Sequence, residues 1–196
     1  MPDRLFLSVW LKEYDEERAL TALEKTLEAF PYSPAVPGVR SVSVHPLDWS
    51  EPVAMEEEFA EGAEAAYAME LAAEFKNPDC AYQATAFWDL WEFRQNGGAG
   101  GWRQIPHAVK IIAYGPQFEG RQERGHLELD LGLETPFLAE EEPIAFASDY
   151  RERIQANIQK LVELVRALSG RLPTRRRLLW TESGESFVEK IERSFE

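Results

Sequence analysis

The sequence contains one cysteine, Cys80, among 196 residues, and this excludes an internal disulfide. A lone cysteine fits a reducing compartment. No apolar run approaches the roughly 18 residues that a membrane-spanning helix needs. The first residues also lack the basic, apolar and small-residue regions of a secretory signal. We therefore expect a cytoplasmic protein without a membrane segment.

Basic residues are few relative to acidic ones: Lys and Arg number 21 and Asp and Glu 35, a formal net charge of −14 at pH 7. The imbalance lies in residues 1–150, which hold eleven basic and twenty-eight acidic residues, whereas residues 151–196 hold ten and seven. Such an acidic field repels the phosphates of nucleic acids and anionic lipids. The arginine cluster at 171–177 is too small to offset that repulsion, so we expect no nucleic acid partner.

The composition is typical of a protein with a globular core. Apolar residues make up 44% of the sequence and aromatic residues 12%, including six Trp. Alternation of apolar and polar residues predicts strands at 4–12, 39–45, 82–93, 107–114, 125–133 and 176–181. Helical spacing and capping signals predict helices at 15–30, 63–76 and 149–170, and a terminal helix after residue 183. The acidic, proline-rich stretch 46–62 is interpreted as a loop.

Strands that follow one another through short loops usually pair as antiparallel neighbours. We therefore predict a single α+β domain over residues 1–196, with an antiparallel or mixed sheet of five to six strands and helices mainly on one face. Its β-α-β opening loosely resembles the ferredoxin-like topology. That resemblance is one of fold, without a motif, and implies no function.

The strand at 125–133 carries three side chains that could bind a metal. His126, Glu128 and Asp130 project from one face of the strand, and leucines project from the other. Imidazole and carboxylate groups are ligands of divalent metals and can also act as a general acid and base. Same-face neighbours lie about 6.5–7 Å apart, so three in line do not converge on one ion without other strands. The polar side of a half-buried sheet gives the same pattern and is the preferred interpretation.

The aromatic strand at 82–93 and the glycine-rich loop after it suggest a ligand-binding site. Asp89 and Trp91 share one face of that strand, and Trp102 follows the glycines. Aromatic rings beside a carboxylate can line a pocket for a small organic or cationic ligand. A central strand packed on both faces would give the same pattern. The glycines lack the Gly-Lys-Ser/Thr ending of a phosphate-binding loop.

No motif specifies a reaction or a cofactor, so the sequence leaves enzymatic activity undecided. It favours a non-enzymatic binding domain that presents an acidic, aromatic-containing sheet face to a protein partner or a small molecule. A metal-dependent or acid–base enzyme that uses His126, Glu128 and Asp130 is the alternative. The strand at 82–93 carries large rings on both faces, and such extra apolar surface is commonly hidden in a symmetric interface. We therefore also expect a two-fold homodimer.

Overall fold

The computed structural model describes residues 2–96, 99–119, 124–139, 147–184 and 186–195. Within these residues, seven strands form one sheet: β1 (Arg4–Leu11), β2 (Val39–Pro46), β3 (Met55–Ala63), β4 (Cys80–Asn96), β5 (Ala99–Tyr114), β6 (Leu127–Leu133) and β7 (Thr174–Thr181). The described helices are α1 (Glu16–Ala29), α2 (Ala65–Ala73), α3 (Ala147–Arg171) and α4 (Phe187–Phe195), with a 3-10 turn at Thr135–Phe137. In these ranges no helix has both the length and the hydropathy needed to cross a bilayer.

The strands lie in the order β3-β2-β4-β5-β6-β1-β7, and every neighbouring pair is antiparallel. The molecule is of the broad α+β class, but the predicted number of strands, five to six, is wrong. The additional strand is β3, which lies in the stretch interpreted as a loop because of Glu56, Glu57 and Glu58. These three side chains are exposed on an edge strand, where charge discourages pairing with another chain.

The chain opens in the predicted order of strand, helix and strand, but the sheet order does not match the ferredoxin-like topology. The strands on either side of α1 are far apart in the sheet, because β4, β5 and β6 lie between β2 and β1. Each of the two strands instead pairs with antiparallel neighbours: β2 with β3 and β4, and β1 with β6 and β7. Helix α1 therefore connects the two halves of the sheet.

The main apolar core lies between one face of the sheet and helices α1, α2 and α3. Alternate residues of the central strands face it, and Leu7, Trp88 and Ile111 are almost fully buried there. Helix α1 contributes Leu23, and α3 contributes Leu161. Burial of one such leucine stabilises the fold by about 1.5–3 kcal/mol. The other sheet face carries a smaller buried cluster of Ala81, Ile112, Tyr114 and Phe118.

Strands β4 and β5 pair continuously from Ala81–Tyr114 to Asn96–Ala99 and form the longest ladder of the sheet. Strand β2 pairs only with the first part of β4, and β6 only with the last part of β5. Residues 87–96 and 99–109 therefore have only each other as neighbouring strands, and we call them the hairpin arm. Residues 96–101 were predicted to be a loose connector. This is wrong for Asn96, Ala99, Gly100 and Gly101, which pair in the ladder. Gly97 and Gly98 lie outside the described residues.

Helix α3 supplies partners for the edge of the hairpin arm that no strand covers. The Asn157 amide accepts a hydrogen bond from the Trp91 backbone N–H at 2.8 Å and donates to the Trp91 carbonyl at 3.0 Å. The same amide nitrogen donates to the Pro136 carbonyl at 2.7 Å, and Lys160 Nζ donates to the Asp89 carbonyl at 2.7 Å. Because buried backbone groups need partners, these side chains fix the arm against α3.

Candidate functional site

His126 and Asp130 are each engaged by residues near the N-terminus of the chain. His126 Nδ1 accepts a hydrogen bond from the Leu11 backbone N–H at 2.9 Å, and its ring stacks on Tyr14 with centroids 4.1 Å apart. An Asp130 carboxylate oxygen lies 2.5 Å from Arg4 Nη2. The His126 contacts hold the start of β6 against the end of β1 and the residues after β1. The Asp130 contact holds the centre of β6 against the start of β1. They give both side chains a structural role.

Glu128 lies between them and is only 1% exposed. Its Oε1 accepts a hydrogen bond from the Tyr114 hydroxyl at 3.1 Å and one from Arg124 Nη1 at 3.3 Å. Burial raises the pKa of the Glu128 carboxyl above its ordinary value, and the Arg124 charge only partly opposes this. Among the described residues, no three His, Cys, Asp or Glu side chains are arranged to hold a metal ion. A metal or acid–base site at these three residues stays a prediction.

The burial of Glu128 predicts a pH-dependent gain of stability in the Glu128→Gln variant. A carboxyl whose pKa is higher in the folded than in the unfolded state stabilises the fold at low pH, and that stability is lost as the pH rises through the folded pKa. Glutamine is uncharged and still accepts the Tyr114 hydrogen bond. We expect melting curves to show Tm raised by about 2–5 °C at pH 8 and little changed at pH 4.

The exposed change Glu70→Gln on α2 removes the same formal charge and serves as the control for that experiment. It should leave Tm nearly unchanged across the same pH range. A Glu128→Gln variant less stable than the wild type at pH 8 would show that the Arg124 ion pair outweighs the burial of the charge.

A hollow of about 480 Å³ lies where the hairpin arm meets the first turns of α3 and the segment after β6. We call it the arm hollow. Four aromatic side chains line it: Trp91, Phe93, Trp102 and Tyr150. Trp102 stands edge-on to Phe93 with ring centroids 5.7 Å apart, and it is tilted against Tyr150 at 5.5 Å. Its indole Nε1–H is buried and has no acceptor among the described residues.

The polar side of the arm hollow is formed by Glu92, Arg94 and His107. The Glu92 carboxylate lies between the other two, 2.6 Å from Arg94 Nη2 and 2.9 Å from His107 Nε2. Burial lowers the pKa of the His107 imidazole below its ordinary value, against the opposing effect of Glu92. Burial therefore favours the neutral form of the imidazole, and Arg94 is the cationic neighbour of the Glu92 carboxylate.

Two other hollows, of about 540 and 500 Å³, flank α1. The first is lined mainly by alanine, glycine, proline and glutamate, with Tyr32 as its single aromatic ring. The second is lined by flexible charged side chains, including Lys12, Arg18 and Lys25. Neither set of lining residues includes a buried polar side-chain atom that lacks a partner. The arm hollow is therefore the stronger candidate for a binding site.

Of the residues proposed as ligand-binding from the sequence, Trp91 and Trp102 line the arm hollow and Asp89 does not. The Asp89 carbonyl instead accepts the hydrogen bond from Lys160. Their role in binding stays a prediction. Alternation along one strand did not place His107 and Tyr150 in the hollow, because His107 depends on the register of the β4–β5 ladder and Tyr150 comes from α3, which is distant in the chain. Pairing of β4 with β5 in a long hairpin would have been the signal for His107.

Comparisons of the chain with protein-family models, curated proteins and solved structures returned no match. Function is therefore inferred from the arm hollow itself.

Proposed function

We propose that this protein is a non-enzymatic binding domain that holds a small organic molecule in the arm hollow. The volume of about 480 Å³ falls within the range of about 300–1,000 Å³ that is usual for small-molecule sites. Its wall is mainly aromatic and apolar, with a few polar groups at one side, as such sites commonly are.

The buried indole N–H of Trp102 is the observation that carries this proposal. It has no acceptor among the described residues. A buried donor without a partner costs about 1–3 kcal/mol relative to one that is hydrogen-bonded. A ligand with a suitably placed acceptor would remove that cost. The unpaired N–H therefore favours binding of a ligand in the hollow.

Binding without a reaction is supported by the kinds of side chain that line the hollow. Among its described lining residues there is no cysteine, serine or lysine, and the groups of nucleophilic type that remain are Thr135, Tyr150, Glu92 and His107. The His107 imidazole and the Glu92 carboxylate contact each other, and Arg94 contacts the same carboxylate. His107 Nε2 lies 2.9 Å from Glu92 but makes no hydrogen bond among the described residues, so it can help to orient a ligand.

Two inferences from composition complete the proposal. The excess of acidic residues supports a partner other than nucleic acid, and the lone cysteine supports a cytoplasmic location. The two-fold dimer expected from the many aromatic residues is part of the proposal.

We expect a thermal-shift screen of small aromatic compounds to find ligands that depend on Trp102. A compound at about a hundred times its Kd should stabilise the fold by about 2.7 kcal/mol, which raises Tm by about 5–10 °C. In Trp102→Phe the ring remains but the N–H is lost, so the Kd of a compound that accepts this hydrogen bond should rise by about 3–10-fold.

The matched control is Trp49→Phe, because Trp49 lies 40% exposed in the loop after β2, away from the hollow. This variant should bind the same compounds with unchanged Kd. Compounds that bind equally well to the wild type and to Trp102→Phe would contradict the proposed site.

A further inference from the structure

We infer that the ligand of the arm hollow is a flat aromatic anion, of the aryl carboxylate class. This inference rests on the proposed function and specifies its ligand. It is drawn from the charges that surround the hollow and from the donors that remain there.

The positions that would attract a cationic ligand are already filled by the protein. The guanidinium carbon of Arg153 lies 3.9 Å from the centroid of the Trp91 ring and covers one face of that ring. The Glu92 carboxylate, which would be the natural partner of an amine, already contacts Arg94 and His107. A ligand cation would have to displace one of these contacts.

The donors that remain favour an acceptor group on the ligand. Trp102 Nε1–H is buried without an acceptor among the described residues. Arg94 carries several N–H donors, and its contact with Glu92 uses Nη2. A carboxylate offers several lone pairs to such donors, and hydrogen bonds between ionised groups are stronger than neutral ones.

The aromatic wall sets the shape of the ligand. Phe93, Trp102 and Tyr150 present rings at different inclinations, with centroid separations of 5.7 and 5.5 Å along the series. A planar ring gains both area burial and edge or face contacts with such walls. His107 Nε2 also lines the hollow and is buried without a hydrogen-bond partner among the described residues, whereas the unpaired Asp89 Oδ1 belongs to a residue outside the lining.

Three probes with the same ring system separate the effect of charge from that of shape: 2-naphthoate, 2-naphthalenemethanol and 2-naphthylmethylamine. Their Kd values would be measured by calorimetry at pH 7 and constant salt. We expect 2-naphthoate to bind at least about tenfold tighter than the amine, with the alcohol between them. Because the chain has a net charge of −14, its overall field repels anions, so this preference has to arise locally.

Variants then assign the preference to the hollow. Arg94→Gln should weaken 2-naphthoate by about tenfold and leave the uncharged alcohol nearly unchanged. Arg175→Gln removes an exposed arginine on β7, outside the hollow, and should alter neither.

An amine that binds as tightly as 2-naphthoate, or more tightly, would overturn the assignment of an anion while small-molecule binding in the hollow would stand. The same holds if Arg94→Gln leaves the affinity for 2-naphthoate unchanged. If none of the three probes binds the wild-type protein at millimolar concentration, both this inference and the proposed function are wrong.

Discussion

Asn157→Ala is expected to lower the free energy of unfolding by about 3–5 kcal/mol, which is a large loss for a single polar side chain. Asn157 is 2% exposed, and its amide satisfies the N–H and C=O of Trp91 and the C=O of Pro136. Alanine leaves all three buried backbone groups without this partner. Denaturant unfolding would measure the loss, and thermal melting should show Tm lowered by at least about 6 °C.

Gln159→Ala is the matched control, since Gln159 lies on the same helix and its side chain donates a hydrogen bond to the exposed Glu163. Its effect should stay within about 0.5 kcal/mol. If Asn157→Ala changed stability as little as this control, water or a shifted backbone would have to replace the amide. The role of α3 as the partner of the arm edge would then be refuted.

Phe137→Ala is expected to cost about 3–5 kcal/mol, the usual range for removal of a buried aromatic ring. Phe137 is fully buried on the 3-10 turn, with its ring centroid 6.0 Å from Trp88 and 6.2 Å from Phe187. It therefore joins the base of the hairpin arm and the C-terminal helix α4 to one core. Chemical denaturation should show a lower midpoint with a similar slope.

The control for this variant is Phe75→Ala, which removes an identical ring that is 40% exposed at the end of α2. Its cost should remain below about 1 kcal/mol. Equal losses in the two variants would show that Phe137 contributes no more than a surface ring, and that the contact between α4 and the core is weak.

The parts of the fold that sequence periodicity predicted are those with one clearly apolar face. Apolar and polar residues alternate along β6, and apolar residues recur at helical spacing along α3. Each pattern places the leucines of its element on one face. Strand β3 lacks that signal, because an edge strand buries little on either face and Glu56, Glu57 and Glu58 are all exposed. A single sequence shows neither where an edge lies nor which strands meet.

The hairpin arm shows a second limit. Gly100 carries no side chain and so contributes no periodicity, yet it is part of β5, and the Phe93 ring lies over it where a side chain would otherwise stand. An aromatic ring across a glycine on the neighbouring strand is a tertiary arrangement. The pattern of residues around 96–101 therefore favoured a loop over the observed ladder.

For the candidate sites, the sequence could predict which side chains share one face of a strand, but not which residues of other elements they contact. Alternation places His126, Glu128 and Asp130 on one side of β6, but their contacts with Leu11 and Arg4 depend on β1, which is distant in the chain. Likewise, the sequence predicted Trp91 and Trp102 as aromatic residues that could line a pocket beside a carboxylate. Their neighbours in the hollow come from α3 and from β5, and only the folded register brings them together.

The place of β1 in the sheet affects the order in which the strands can pair during folding. Both neighbours of this strand, β6 and β7, come from the later part of the chain. Strand β1 therefore cannot complete its backbone pairing until residues 127–133 and 174–181 are available to it. Such late closure of long-range contacts is slow and leaves nascent chains prone to association. The strand order therefore makes the pairing of β1 a late, long-range step of folding.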